Sequence, residues 1–170
     1  MVLSERGLLG RLRAEMRSWV EERLSSWGPT LFVSLNFREA LTGEAGHRLL
    51  LDEHTARREI ENFGKRVDRM VYGRLVQRFN RRVRRIPFLE YGHFRGWHAH
   101  ALLERPSHIA EVRFRQIVRK AWAESPWSTD LHERVADEGA PSYLTKDRSK
   151  AELEVWIDTI VLEAVFLDTK

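Results

Sequence analysis

The chain has 170 residues, with 29 Lys and Arg against 25 Asp and Glu, no cysteine, and 42% hydrophobic side chains. That composition fits one globular domain able to bury a core without staples, and it excludes a disulfide framework, a thiolate metal site and a catalytic thiol. No apolar run approaches the roughly 18 residues that span a bilayer, and Glu5, Arg6 and Arg11 interrupt the start where a secretory signal needs apolar residues, so a cytoplasmic location is expected.

Residues 4–27 place Leu8, Leu9, Leu12, Met16, Trp19, Val20, Leu24 and Trp27 at helical spacing, which predicts an amphipathic helix ending at Gly28-Pro29. From Thr30 to Phe37 the period changes to two: Leu31, Val33, Leu35 and Phe37 share one face of a predicted strand, and Phe32, Ser34 and Asn36 the other. A polar, glycine-containing loop is expected up to about Asp52. A long helix then follows through Ile60, Phe63, Val67, Met70, Val71, Leu75 and Phe79.

Positive charge concentrates there. Between Ala56 and Arg85 stand eleven Lys or Arg and only Glu59, Glu61 and Asp68, a local charge of +8 in a chain of net +4. Arg81, Arg82, Arg84 and Arg85 have no acid beside them in sequence and read as a phosphate-contacting edge, whereas the helix before them also reads as a solvated face laced with ion pairs.

Ile86–Gly92 and Trp97–Glu104 form a predicted β-hairpin, with Pro87 pointing to an edge or a bulge in its first arm. Pro106-Ser107 is expected to open a helix with an apolar stripe of Ala110, Phe114, Ile117, Val118, Ala121 and Trp122, stopped at Ser125-Pro126. A further strand is predicted between Trp127 and Asp137, and Pro141 opens a short helix carrying Tyr143 and Lys146. The segment Leu153–Leu167 fits a helix by spacing and a buried strand by its β-branched content. The order of elements predicts one α+β domain with a mainly antiparallel sheet and helices over one face.

His98 and His100, two apart on the second hairpin arm, share a face and can share a metal, although the pair also suits two ordinary surface histidines. The hairpin decides a third ligand. If the turn is His93-Phe94-Arg95, Gly92 pairs with Gly96 and Glu90 stands across from His98; with a four-residue turn Glu90 faces Ala99 and the assignment fails. Two imidazoles and a carboxylate suit Mn²⁺ better than Mg²⁺. Tyr143 and Lys146, three apart on a predicted helix, share a face as well.

Taken in chain order, Phe32-Val33-Ser34-Leu35-Asn36-Phe37, His98-Ala99-His100-Ala101-Leu102-Leu103 and Tyr143-Leu144-Thr145-Lys146-Asp147 resemble the three motifs of the HUH endonucleases, in particular the single-tyrosine rolling-circle replication initiators. The resemblance implies a central antiparallel sheet of about five strands with helices, a ferredoxin- or RRM-like α+β fold, over residues 1–170, with 1–28 as a helical extension. It implies a divalent metal, Mn²⁺ or Mg²⁺, on His98, His100 and Glu90, Tyr143 as nucleophile, and Lys146 on the phosphate. The product would be a 5′-phosphotyrosyl enzyme, and the activity nicking and joining of DNA to start rolling-circle replication of a plasmid or phage. Its partner would be single-stranded or hairpin DNA at a replication origin, contacted by Ser34, Asn36, Arg81, Arg82, Arg84 and Arg85. No GxxxxGK[ST] occurs in the chain, so no helicase domain is expected: either a host helicase is a partner that supplies unwinding, or the chain is a nickase fragment. A single-tyrosine transposase or relaxase shares this chemistry, and a non-catalytic nucleic-acid-binding module of RNA-recognition topology is the reading without it.

Overall fold

A computed structural model of the chain describes residues 5–43, 46–92 and 96–145, with side chains from residue 10 onward. The elements are α1 (Glu5–Ser25), β1 (Thr30–Phe37), β2 (Ala40–Thr42), β3 (Arg48–Leu50), α2 (Glu53–Tyr72), α3 (Leu75–Phe79), β4 (Arg85–Gly92), β5 (Gly96–Glu104), α4 (Glu111–Ala123), β6 (Ser128–Val135) and α5 (Ala140–Leu144). The expectations for Lys146, for the turn residues His93, Phe94 and Arg95, and for Leu153–Leu167 lie outside the described residues.

The main sheet runs β4-β5-β1-β6, antiparallel throughout. With α2 between β1 and β4, and α4 between β5 and β6, the chain traces the β-α-β-β-α-β path of ferredoxin-like folds. The predicted α+β architecture therefore holds, with two differences. The sheet has four strands, and β2 and β3 pair separately as a small ribbon where a loop was expected. Each has only three residues, too few for a period-two pattern to be seen in the sequence.

The second difference is that helices lie on both faces. On one, α2 and α4 pack Ile60, Phe63, Val67, Phe114, Val118 and Trp122 onto Val33, Leu35, Ala99 and Ala101. The small Ala99 and Ala101 leave room for that approach, and Trp122 meets Phe37 and Phe63 edge-on at centroid distances of 4.9 and 5.9 Å. On the other face, Val20 of α1 and Ala140 and Leu144 of α5 bury Phe32, Ile86, Phe88 and Leu102. That contact places α1 beside α5, and Arg17 Nε donates to Thr145 Oγ1 at 3.2 Å.

Helix boundaries follow local chemistry. Asp52 caps α2 by accepting from the Thr55 amide at 2.7 Å. The long helix expected to reach Phe79 breaks at Gly73, whose φ of +54° suits glycine and ends α2; α3 is a separate turn closed by Asn80 at φ +49°. Similarly, α4 begins at Glu111 rather than at Pro106, because Pro106–Ile109 closes a turn first. Pro87 sits on β4, an edge strand, as its missing N–H requires. Among the described residues, no helix is long and apolar enough to cross a membrane.

Candidate metal centre and adjoining cleft

The β4–β5 register settles the hairpin question. Gly92 pairs with Gly96, Glu90 with His98 and Phe88 with His100. Glu90, His98 and His100 thus share the face turned toward α1 and α5, at 5%, 7% and 5% exposure.

Each imidazole is held by a second partner. His98 Nδ1 lies 3.2 Å from the Gly96 carbonyl oxygen, and His100 Nδ1 lies 2.8 Å from Ser34 Oγ. A carbonyl only accepts, so His98 donates from Nδ1, which makes Nε2 the atom it would offer a cation; a donating Nδ1 on His100 would do the same. Both Nε2 atoms approach Glu90 Oε2, at 3.2 and 3.8 Å, and one donor atom from each of the three residues lies within 4.8 Å of the other two. Ligands about 2.1 Å from one ion stand roughly 3.0–3.4 Å apart, so the donor spacing fits a shared cation after small adjustment. Three protein donors leave positions open for substrate oxygens, and the mix of two imidazoles and one carboxylate suits Mn²⁺ or Zn²⁺ more than Mg²⁺.

Register also places what lies beside the triad. On β1, Ser34 pairs with His100 and Asn36 with His98, while on β6 His132 pairs with Ser34. Ser34 and Asn36 are short, so the sheet surface between β5 and β6 sinks into a cleft of about 390 Å³ lined by Ser34, Asn36, His98, His100, Asp130, His132 and Tyr143. Tyr143, half-buried on α5, closes one end: its ring meets His100 edge-on at 5.3 Å and Phe32 at 5.5 Å. Glu90, His98, His100, Ser34, Asn36 and Tyr143 are therefore brought together by four different elements.

The arginines are not part of this assembly. Arg85 is 6% exposed, on the face covered by α2, and its guanidinium forks onto both carboxylate oxygens of the fully buried Asp68 at 2.8 and 2.9 Å. Gly64 of α2 makes space for it, since a Cβ there would stand 2.7 Å from the guanidinium. Arg82 also reaches Asp68, at 3.4 Å, and Arg84 pairs with Glu104 while its guanidinium lies 5.8 Å from the Trp27 ring. The expectation of an acid-free phosphate edge is corrected: Asp68 and Glu104, distant in sequence, fold back onto it. Arg81 is exposed, and with Arg82, Arg84 and Arg105 it lines a separate cleft. That cleft lies at the opposite end of β4 from Glu90, about 17 Å away by strand rise.

Sequence reading missed Asp130 and His132. Their two-residue spacing inside a predicted strand is the same signal that flagged His98 and His100, but only the pairing of β6 with β1 shows that they face the same cleft. Asp130 Oδ2 accepts from Asn36 Nδ2 at 3.0 Å and stands 2.7 Å from His132 Nε2; Oδ1 accepts from Thr129 Oγ1 at 3.1 Å. Partial burial alone would raise the Asp130 pKa, but the hydrogen bonds from Thr129 and Asn36 and the charge of His132 outweigh it and hold the carboxyl below its ordinary range.

No family model and no curated protein matches the chain. Among solved structures, it is similar to the N-terminal nuclease domain of the minute virus of mice non-structural protein-1, at 12% identity and a TM-score of 0.35, over 93% of this chain and 75% of that one. A unique Zn²⁺ coordination in the active-site pocket and a novel mode of DNA recognition at the origin of replication are described for that domain.

Proposed function

We propose that this chain is a metal-dependent endonuclease that nicks and rejoins single-stranded DNA through a covalent bond to Tyr143, starting rolling-circle replication of a plasmid or phage. One observation carries the reading: the Tyr143 ring rests against His100, so the one tyrosine lining the cleft among the described residues borders a buried triad fit to hold a cation. His98, His100 and Glu90 would hold the ion, which would polarise the scissile phosphate.

The protein's own groups do the rest. Tyr143 Oη attacks phosphorus, the bond from phosphorus to the 3′-oxygen breaks, and the products are a 5′-phosphotyrosine and a free 3′-hydroxyl. The new ester conserves the phosphodiester linkage, so the reverse reaction rejoins a strand. Ser34 keeps the His100 ring turned, and Asn36 and Ser34 floor the cleft in which a nucleotide backbone would lie. A backbone free to bend brings one phosphate down to the cleft floor most readily, which favours single-stranded or extruded DNA. The resemblance to the HUH motifs implies that Lys146, three residues beyond Tyr143, would contact the phosphate.

The test is a labelled single-stranded oligonucleotide library incubated with the protein and Mn²⁺. A covalent complex whose mass maps to Tyr143 is expected, lost in Tyr143→Phe with oligonucleotide binding kept, and lost in His98→Ala. Binding without any adduct in the parent protein would overturn the proposal in favour of a non-catalytic nucleic-acid-binding module.

A further inference from the structure

Tyr143 must lose its proton as it attacks, because a protonated phenol is a weak nucleophile. Of the side chains lining the cleft, His98 and His100 have their Nε2 atoms turned to Glu90, and Ser34 and Asn36 are not bases. Among the described residues lining the cleft, that leaves His132 and Asp130 on β6.

These two form a built pair. His132 Nε2 donates to Asp130 Oδ2 at 2.7 Å, and Asp130 is itself held by Asn36 and Thr129, so the imidazole is oriented with Nδ1 left as its basic atom. The Ser34–His132 register sets this histidine on the wall of the cleft opposite His100, with only the short Ser34 between them. Tyr143 closes the end of the same space through its contacts with His100 on β5 and Phe32 on β1. Tyr143 and His132 thus line one cleft, and the imidazole is oriented by a carboxylate, as a catalytic base usually is. Arg134, the next residue on this face, is engaged with Asp137 and the Phe32 ring.

We propose that His132, oriented by Asp130, is the general base that takes the proton of Tyr143 as its oxygen attacks the phosphate. The proton moves from Tyr143 Oη to His132 Nδ1, the oxygen–phosphorus bond forms, and the bond to the 3′-oxygen breaks. His132 is 76% exposed, so it passes its proton to water, and the departing 3′-oxygen takes one from water. On rejoining, the attacking 3′-hydroxyl gives its proton to water, and His132, reprotonated by water, donates to the departing tyrosyl oxygen. The inference rests on the covalent reading of Tyr143.

The experiment measures the rate of adduct formation with single-stranded oligonucleotide and Mn²⁺, beside oligonucleotide affinity, for the parent, His132→Ala and Asp130→Asn. His132→Ala is expected to form the Tyr143 adduct about 100-fold more slowly or worse, with Asp130→Asn between it and the parent. Affinity should stay within about threefold, less than 1 kcal/mol. Because the site is open, added imidazoles should rescue His132→Ala, with rates rising with their basicity; a purely structural role would not give that dependence. A His132→Ala rate equal to the parent's, a loss matched by lost affinity, or rescue independent of basicity overturns the assignment while leaving covalent Tyr143 chemistry standing. No adduct from the parent overturns that chemistry and this assignment with it.

Discussion

On β1, Leu31, Val33, Leu35 and Phe37 point at α2 and α4, whereas Phe32, Ser34 and Asn36 point the other way. β5 divides identically, Ala99, Ala101 and Leu103 against His98, His100 and Leu102. Along these two strands the first face is continuous and apolar. The second is apolar only near Phe32 and Leu102, where α1 and α5 cover it, and beyond them it opens into the cleft. Alternation along two strands therefore separates a face wholly given to packing from one that also lines the triad and its cleft, with the peptide backbone between them.

If the faces are that independent, substitutions should sort cleanly by face. The largest effect expected is Asp68→Ala, which strands the buried Arg85 charge and should cost about 3–5 kcal/mol in urea unfolding. Leu35→Ala, at a fully buried position, should cost about 2–5 kcal/mol in the same measurement. Neither should change Mn²⁺ affinity of the folded protein by calorimetry; a shift as large as that of a triad substitution would break the comparison.

On the other face the pattern should reverse. His98→Ala is expected to weaken Mn²⁺ binding by at least about 100-fold, roughly 2.7 kcal/mol, and to abolish the rise in unfolding midpoint that Mn²⁺ gives the parent. Ser34→Ala frees the His100 ring and should weaken Mn²⁺ about 10- to 100-fold with the fold intact. As a floor for the series, Glu111→Ala breaks a solvent-facing pair with Arg115 and should move stability by no more than about 0.5 kcal/mol without touching the metal.

Legibility in the sequence followed the range of the interaction. The His98–His100 face, the short helix at Pro141 and the alternation of β1 needed only local periodicity, and all are found. Glu90 was legible conditionally, because one turn length decides whether it meets His98 or Ala99. The run Arg81–Arg85 has no acid beside it in sequence, yet acids pairing with Arg82, Arg84 and Arg85 arrive from α2 and from the end of β5. Gly73 and Gly64 carried no readable signal, one breaking a helix whose apolar spacing continued past it, the other making room for a side chain twenty-one residues away.

By itself, the sequence determined the period of each element and hence which side chains share a face, because backbone geometry fixes side-chain direction over two or four residues. Only the tertiary structure decided which faces meet. It put β6 beside β1 and so gave Asp130 and His132 a place on the cleft, it laid Tyr143 against His100, and it turned Arg85 from a surface cation into half of a buried ion pair. Those outcomes depend on strand order and on where the buried apolar surface of α1, α2 and α4 comes to rest, which no short window of residues contains.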